Sequence, residues 1–413
     1  MRWLNKNKHI CGVVLMLLSS GTTTLAVADA LPERIALPEF LQLVQQRNPD
    51  LQADRMQIDA AQADLQTASA IPNPVVGYTR KPGEKEMAIE QPIPIFGQRG
   101  KRMEGAQLGI EAASTRVDAA RADRLRDAAR DFITLLIAQE KYAQRQKAET
   151  QMDAARRIVN GQVEAGARSR YDKTRIDLER ANAQMQVAQA QAALSDARAR
   201  VAAAIAVPQW RPVAVGVMQP SSQAPAFSTL WEDAQNRIPA VRAAIAEQAR
   251  ADKMIEVEQR EAWPTPSIGV GKLRDSEGRH SVLGVSVEIP LFNRRQGEIA
   301  KAQAQAREAM LRREAVIRNA QNELQRATDL LAQRLMLTNR FRDEGLAMLP
   351  ALNQMAQDAY TYGQGTVLEL LDSIQSVAEK QMTYLDLMES VLQAELDVRF
   401  AAGDIPSGLA VKP

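Results

Sequence analysis

The feature that most constrains this chain is an internal duplication, because its second half repeats the motifs of its first half in the same order. Ile71-Pro72-Asn73-Pro74 returns as Trp263-Pro264-Thr265-Pro266, and Ile93-Pro94-Ile95-Phe96 returns as Ile289-Pro290-Leu291-Phe292. The period is roughly 190 residues, far longer than the ~20–50 residues of a solenoid repeat. A whole structural unit is therefore duplicated, and both copies must supply the same parts to one assembly.

The amino terminus has the pattern of a secretory signal peptide over residues 1–28. A positively charged stretch precedes a short apolar core and then a group of small residues: Arg2, Lys6 and Lys8, then Ile10–Leu18, then Ala26-Val27-Ala28. This order is typical of export signals, and the apolar core is too short for a membrane anchor. We expect cleavage between residues 28 and 30. An amphipathic first helix is the alternative.

The single cysteine, Cys11, precedes the apolar core, so a lipid-anchored cysteine is not expected. Cleavage would leave a mature chain with no cysteine, and therefore with no disulfide and no thiolate metal site. It would also remove the three charges of Arg2, Lys6 and Lys8 from a formal charge of +2, which gives −1. This balance gives no indication of nucleic acid as a partner.

Long helices are predicted for most of the chain. No proline occurs between Ile95 and Val207, and small and apolar residues recur there at the heptad spacing of paired helices. A helix of about 60 residues, from Gly100 to Gly161, would be about 90 Å long. In the second half, Pro350 should kink the corresponding helix or start a new helical segment.

Glycines mark the places where these helices are expected to reverse. Asn160-Gly161 and Gly166 should break the first helical hairpin, and Gly363 with Gly365 should break the second. The reason is that glycine readily adopts the left-handed or open backbone that a helix reversal requires.

The predicted domain organisation has two repeats of one plan, each with a short helix, a β-hairpin and a long helical hairpin. The first repeat covers residues 29–212, with its β-hairpin at 72–94 and its helical hairpin at 100–207. The second repeat covers residues 228–403, with its β-hairpin at 264–290 and its helical hairpin at 295–402. Residues 213–227, rich in Pro, Ser and Gln, link the repeats, and residues 404–413 form a tail.

The β-hairpins are predicted from period-two patterning between prolines. In the clearest arm, Leu283, Val285, Val287 and Ile289 alternate with small or polar residues. Each arm has about 9–11 residues, the length of a tilted membrane strand with one face toward lipid. An ordinary two-stranded ribbon packed on the helices is the alternative. Because one chain has four strands and closed membrane barrels need about eight, spanning strands would require several chains.

No catalytic chemistry is predicted. The expected mature chain has one histidine, His280, beside a polar turn, and no nucleophile motif or phosphate-binding loop. The methionines are scattered at helical spacing, which is typical of core packing. The sequence therefore predicts neither an enzyme, nor a cofactor, nor a metal site.

Two motifs resemble one known family, the TolC-like outer membrane factors, or outer membrane efflux proteins. Tyr360–Asp372 is similar to the family's hairpin-tip segment, and its repeat partner is Gly166–Arg175. The strand-exit segment Gln91–Lys101 resembles the CzcC/CusC-like heavy-metal exporter branch, although the lipid-anchored cysteine of some members is missing. The resemblance covers about residues 36–403.

The resemblance implies a homotrimer. Three chains would form a 12-stranded transmembrane β-barrel from four strands each, above a long α-helical barrel that crosses the periplasm. The chain would then be the outer-membrane channel of a tripartite efflux system, with a periplasmic adaptor and an inner-membrane pump, most often of the RND type, as partners. A periplasmic adaptor protein and a structural coiled-coil protein are the alternatives, and the substrate, a metal cation or an organic compound, stays open.

The resemblance also implies roles for particular residues. The tip that docks on the adaptor would include Gly166, Gly363, Gly365, Thr366 and Val367. The gate or constriction would be formed by the carboxylates of Glu369, Asp372 and Asp172, since rings of carboxylates in a narrow tunnel select cations. A purely structural role for these acids, in the first turn of a helix, is the alternative.

Overall fold

A computed structural model describes residues 31–404, and it confirms a mainly helical fold with a few strands. The predicted signal peptide, residues 1–28, and the chain beyond residue 404 lie outside the described residues. The secondary structure follows the duplication, because helices, a strand pair and a long helical hairpin occur twice in the same order.

The elements of the first half are β1 (Arg34–Ala36), α1 (Leu37–Arg47), α2 (Pro49–Ser69), β2 (Val75–Lys81), β3 (Glu84–Pro92), α3 (Gln98–Glu164) and α4 (Arg170–Ala203). The elements of the second half are β4 (Val213–Val215), α5 (Phe227–Ala234), α6 (Pro239–Glu261), β5 (Pro266–Arg274), β6 (Arg279–Val287), α7 (Gln296–Arg340), α8 (Leu349–Thr361) and α9 (Val367–Ala401). Helices α3 and α4 form the first helical hairpin, and α7, α8 and α9 form the second.

The longest element is α3, whose 67 residues correspond to about 100 Å of helix. It continues to Glu164, so the prediction that Asn160-Gly161 would break the helix is wrong. One glycine costs a helix interior only about 1 kcal/mol, and the chain reverses at Gly166, which has a φ of 72°. No helix among residues 31–404 is both long and apolar enough to cross a membrane.

The descending arm of the second half is interrupted where the first half has a continuous helix. A π-helical turn, Phe341–Gly345, and a 3-10 turn, Leu346–Met348, separate α7 from α8. Pro350 lies in the first turn of α8, where its missing N–H costs no intrahelical hydrogen bond. Of the two outcomes expected for Pro350, the structure shows the start of a new helical segment.

The two strand pairs form one antiparallel sheet in the order β2-β3-β5-β6. Strands β3 and β5 come from different repeats and pair from Lys85 with Arg274 to Pro92 with Ser267. They approach closely at Gly271, where an added Cβ would lie 2.8 Å from the Met87 carbonyl oxygen. The sheet therefore joins the repeats and ends at two outer strands, β2 and β6.

The two faces of this sheet differ in composition. Partners in adjacent strands share a face, and one face has the row Val76, Ile89, Val270 and Leu283. The opposite face has small residues in the neighbouring row: Gly77, Ala88, Gly271 and Val282. The row on one face is therefore apolar, and the row on the other face has little side-chain volume. We name the two faces the apolar face and the small-residue face after these rows.

Three of the four residues predicted to face lipid lie on the apolar face, since Leu283, Val285 and Val287 alternate along β6. Leu283 and Val285 are 75% and 71% exposed. Ile289 is not on this strand, because β6 ends at Val287. It lies in a tight turn, in which the Ile289 carbonyl accepts a hydrogen bond from the Leu291 N–H (2.9 Å). The proline at position 290 cannot donate to a strand ladder, so the strand ends before it.

Helix α3 is the centre of the helical part, because it packs on α2, α4, α6 and α9. Its first residue, Gln98, is buried, and its side-chain amide donates to the carbonyls of Trp263 and Pro264 (3.4 and 3.3 Å). Farther along, Lys141 Nζ lies 2.7 Å from Asp386 Oδ1 and 3.0 Å from Glu389 Oε2 on α9. The first repeat is thus bound to the second both at the start of α3 and in its middle part.

A small belt surrounds the middle of α3. Strands β1 and β4 pair in parallel. The side chain of Gln139 on α3 holds β4, because it accepts from the Ala214 N–H (2.8 Å) and donates to the Ala214 carbonyl (2.9 Å). Phe40 of α1 stacks on Phe132 of α3 with ring centroids 5.6 Å apart, and Trp210 packs beside it at 6.4 Å. These contacts hold α1 and the segment that contains Trp210 and β4 against the long helix α3.

Candidate functional site

The two helical hairpins reverse in turns of the same design. Gly166 and Gly363 have φ values of 72° and 73°, the left-handed conformation that favours glycine after a helix. Each turn ends at a hydroxyl residue, Ser169 or Thr366, which caps the next helix. We call residues 162–172 and 359–372 together the hairpin tips.

Position 365 requires a glycine because neighbouring backbone atoms lie very close to its Cα, and not because of its φ angle. A Cβ at this position would lie 3.1 Å from the Ala359 carbonyl carbon and 3.1 Å from the Tyr360 nitrogen. The Gly365 N–H donates to the Ala359 carbonyl oxygen (2.8 Å), which closes the turn. Among the predicted docking residues, the three glycines therefore also shape the hairpin tips.

The acids predicted at the gate have a local structural role in two of three cases. Glu369 accepts a hydrogen bond from the Thr366 N–H (2.7 Å), while the Glu369 N–H donates to Thr366 Oγ1 (3.2 Å). Asp172 and Ser169 make the same reciprocal pair, both at 3.2 Å. Both acids complete capping boxes. Asp372 lies one turn beyond Glu369 on the same exposed face.

Val367 is the predicted docking residue whose position differs most from the prediction. It is 2% exposed and belongs to the core of the hairpin tips, so its side chain is not available to a partner in this conformation. That core joins both hairpins and consists of Met152, Ala155, Val159, Ile176, Tyr360, Val367, Leu370, Leu371 and Ile374. Thr366, beside Val367, is exposed.

A contact between the two hairpin tips was not predicted from the sequence. Arg168 donates to the Gly365 carbonyl oxygen (3.0 Å), and its guanidinium lies 5.2 Å from the centre of the Tyr360 ring. The Tyr360 hydroxyl donates to Gln162 Oε1 (2.6 Å). Burial raises the pKa of Tyr360, and Arg168 opposes this shift. The only sequence signal is that Arg168 and Gly365 occupy equivalent positions of the two repeats.

The structure gives no indication of a resident metal site within residues 31–404. No group of three or more His, Cys, Asp or Glu side chains in that range is arranged to hold a metal ion. His280 lies at the β5–β6 turn, with Nε2 3.4 Å from Asp275 Oδ1. These two groups are half-exposed, as expected for polar turn residues.

Comparison with known proteins agrees with this architecture. Residues 230–404 match the family described as outer membrane efflux protein. The chain is 28% identical over 381 residues to the cobalt-zinc-cadmium resistance protein CzcC of Cupriavidus metallidurans, covering 87% of this chain and 88% of that protein. It is 26% identical over 345 residues to the nickel-cobalt-cadmium resistance protein NccC of Alcaligenes xylosoxydans xylosoxydans, covering 77% of this chain and 75% of that protein.

The solved structure of CusC has the same fold, with a TM-score of 0.74 and 16% identity over 89% of this chain and 91% of CusC. This match shows the TolC-like fold, and the family match together with the similarity to CzcC supports the role of an outer-membrane efflux channel. The predicted resemblance to the outer membrane efflux proteins and to their CzcC-like heavy-metal branch is confirmed by the family match over residues 230–404 and by the similarity to CzcC and NccC. The alternatives, a periplasmic adaptor or a structural coiled-coil protein, are not supported.

The capping box of Glu369 allows its hydrogen bond to be tested separately from its negative charge. Glu369→Gln should keep the capping box, because glutamine can also accept from the Thr366 N–H. Glu369→Ala should lose that bond, at a cost of about 1 kcal/mol. Hydrogen–deuterium exchange of the peptide around residues 362–370 should then be about fivefold faster in the alanine variant alone. Equal exchange in both variants would contradict the capping role.

Proposed function

We propose that this channel is the exit duct of a tripartite system that exports divalent heavy-metal cations. The observation that supports a heavy-metal substrate is the similarity, over 87% of the chain, to a protein named for cobalt, zinc and cadmium resistance. The second relative is named for nickel, cobalt and cadmium resistance, so the two names share cobalt and cadmium. The duct would conduct passively and would need neither catalysis nor a cofactor.

The proposed assembly is a homotrimer in the outer membrane, to which the chain is exported by its signal peptide without a lipid anchor. Each chain contributes the sheet β2-β3-β5-β6, whose outer strands need partners. Three copies would close twelve strands into one barrel, with the apolar face toward lipid and the small-residue face toward the lumen. Leu283, Val285 and Val287 would face lipid, and Ile289 would lie at the end of the strand.

The proposed docking surface for a periplasmic adaptor is the exposed part of the hairpin tips. Gly166, Gly363 and Thr366 are exposed there, and Tyr362 is 78% exposed. Exposed reversal loops on a rigid scaffold are suited to partner binding. The adaptor would connect the duct to an inner-membrane pump, which we propose is of the RND type because the chain resembles that branch.

The proposed gate is formed by the acids of the hairpin tips. In a threefold assembly, Glu369, Asp372 and Asp172 would each form a ring of three carboxylates. Rings of this kind favour cations over anions where a pore narrows. The capping bonds of Glu369 and Asp172 do not remove their charge, so a cap and a ring are compatible roles.

The sheet orientation predicts unequal effects of arginine at neighbouring positions. Val285→Arg should destabilise the membrane-inserted protein by about 2–4 kcal/mol if it lies near the middle of the bilayer. Ser286→Arg, on the opposite face, should be much milder. Urea unfolding in lipid vesicles measures both, and equal losses would show that β6 does not separate lipid from lumen.

The gate predicts a change in ion selectivity. The double variant Glu369→Gln, Asp372→Asn should lower the cation-to-anion permeability ratio and weaken block by trivalent cations in single-channel recordings. Glu369→Gln should leave the fold unchanged because it keeps the cap, so a loss of selectivity would report charge. Unchanged selectivity in the double variant would place the constriction elsewhere.

The substrate is tested by deletion of the gene and growth on graded zinc, cobalt, cadmium, nickel and copper, with organic toxicants in parallel. Loss of tolerance to cobalt, zinc or cadmium, restored by the intact chain, is the expected result. Sensitivity to organic toxicants alone would contradict the metal substrate and leave the channel class unchanged.

A further inference from the structure

Basic side chains form one row across the sheet β2-β3-β5-β6, at the end where the two hairpin turns lie. The pairing register places one basic residue of each strand in this row: Arg80, Lys85, Arg274 and Arg279. All four residues are exposed. Because neighbouring strands lie about 4.8 Å apart, the row is about 14 Å wide. We call these four residues the basic row.

The basic row lies on the apolar face of the sheet. Side chains alternate between faces along a strand, so Arg279 shares a face with Leu283 of β6, and Lys85 shares it with Ile89 of β3. Four residues separate the members of each pair, which corresponds to about 13 Å along the strand. The row between them includes a fifth basic residue, Lys272.

The two faces of the sheet differ in charge as well as in side-chain size. The strand residues of the apolar face include these five basic residues and no Asp or Glu. The acids of the four strands, Glu84, Glu86 and Glu90, all lie on the small-residue face. Like charges directly opposite each other on paired strands are destabilising. The basic row is therefore suited to a site where anions lie beside it.

The protein itself does not supply that anion within residues 31–404, where no carboxylate forms an ion pair with the basic row. The acid that follows Arg274, Asp275, is engaged within its own turn. Its carboxylate accepts hydrogen bonds from the N–H groups of Glu277 (2.8 Å) and Gly278 (3.1 Å). It also lies 3.4 Å from Nε2 of His280. The basic row is thus available to an external anion.

The basic row lies on the outer side of a curved sheet. Along β3 and β5, the residues of the apolar face are exposed from Ile268 and Lys85 to the hairpin turns, and those of the small-residue face are half-buried. This difference indicates that the apolar face is convex. Tyr78, 64% exposed, lies one row nearer the helices than the basic row. Because aromatic residues mark the membrane–water interface of membrane barrels, the basic row lies at the level of lipid headgroups.

We propose that the basic row binds phosphate groups of lipid headgroups in the outer leaflet of the membrane, which rests on the proposed outer-membrane function. Arginine binds phosphate through paired N–H donors, and lysine through its compact charge. The apolar rows with Ile89, Val270 and Leu283 lie beside the basic row and fit the acyl chains of the same lipid. A soluble phosphate would use only the basic row, so the surface as a whole fits a phosphorylated lipid.

Lipid binding to the detergent-purified mature protein tests the proposal. The probe is lipid A, a glycolipid with two phosphates, and native mass spectrometry counts the bound lipids during a titration. Lys85→Gln should weaken binding about fivefold, as for one surface cation beside anionic lipid. The fourfold variant Arg80→Gln, Lys85→Gln, Arg274→Gln, Arg279→Gln should lose it. The matched control, Lys81→Gln, removes the same charge at the same end of the opposite face and should bind normally.

Dephosphorylated lipid A and inorganic phosphate are the control ligands, and both should bind far more weakly than lipid A. Equal binding of the dephosphorylated lipid, equal binding of inorganic phosphate, or equal losses in the Lys81→Gln and Lys85→Gln variants would overturn the proposal. Conductance of the unaltered protein in planar bilayers reports the channel separately. A protein that conducts but does not prefer lipid A would overturn this proposal alone. Failure to insert into bilayers would overturn the proposed function as well.

Discussion

The structure depends on how the backbone N–H and C=O groups at the two edges of the sheet, on β2 and β6, are hydrogen-bonded. Pairing of β3 with β5 satisfies the inner strands, and it leaves one side of β2 and one side of β6 without a strand partner among residues 31–404. Unpaired strand edges are costly and attract further strands. In a lipid environment that cost rises to several kcal/mol for each unsatisfied group. In the proposed homotrimer, strands of neighbouring copies would supply the missing partners.

The helical part also leaves apolar surface exposed, in this case side chains rather than backbone groups. Inside the chain, α3 packs on α6 and α9, while Leu178 and Met185 on α4 and Met355 on α8 remain exposed. In the proposed homotrimer, neighbouring copies would cover such side chains as well as pair the outer strands.

The sequence predicted those features that depend on local residue chemistry. Prolines and alternating Leu283, Val285 and Val287 indicated the strands, and Gly166 and Gly363 indicated the reversals. It did not predict features that depend on tertiary contacts. Gly161 continues a helix because neighbouring helices stabilise α3, and the Arg168–Gly365 contact joins residues almost 200 positions apart. The capping role of Glu369 could be read from Thr366 three residues earlier, whereas the burial of Val367 required the fold.

We propose that this chain is one part of a closed channel made of identical copies. Native mass spectrometry of the protein, extracted from outer membranes in mild detergent, tests this assembly. We expect a single species with the mass of three mature chains. A membrane-extracted protein with the mass of one chain, folded and without partners, would contradict it.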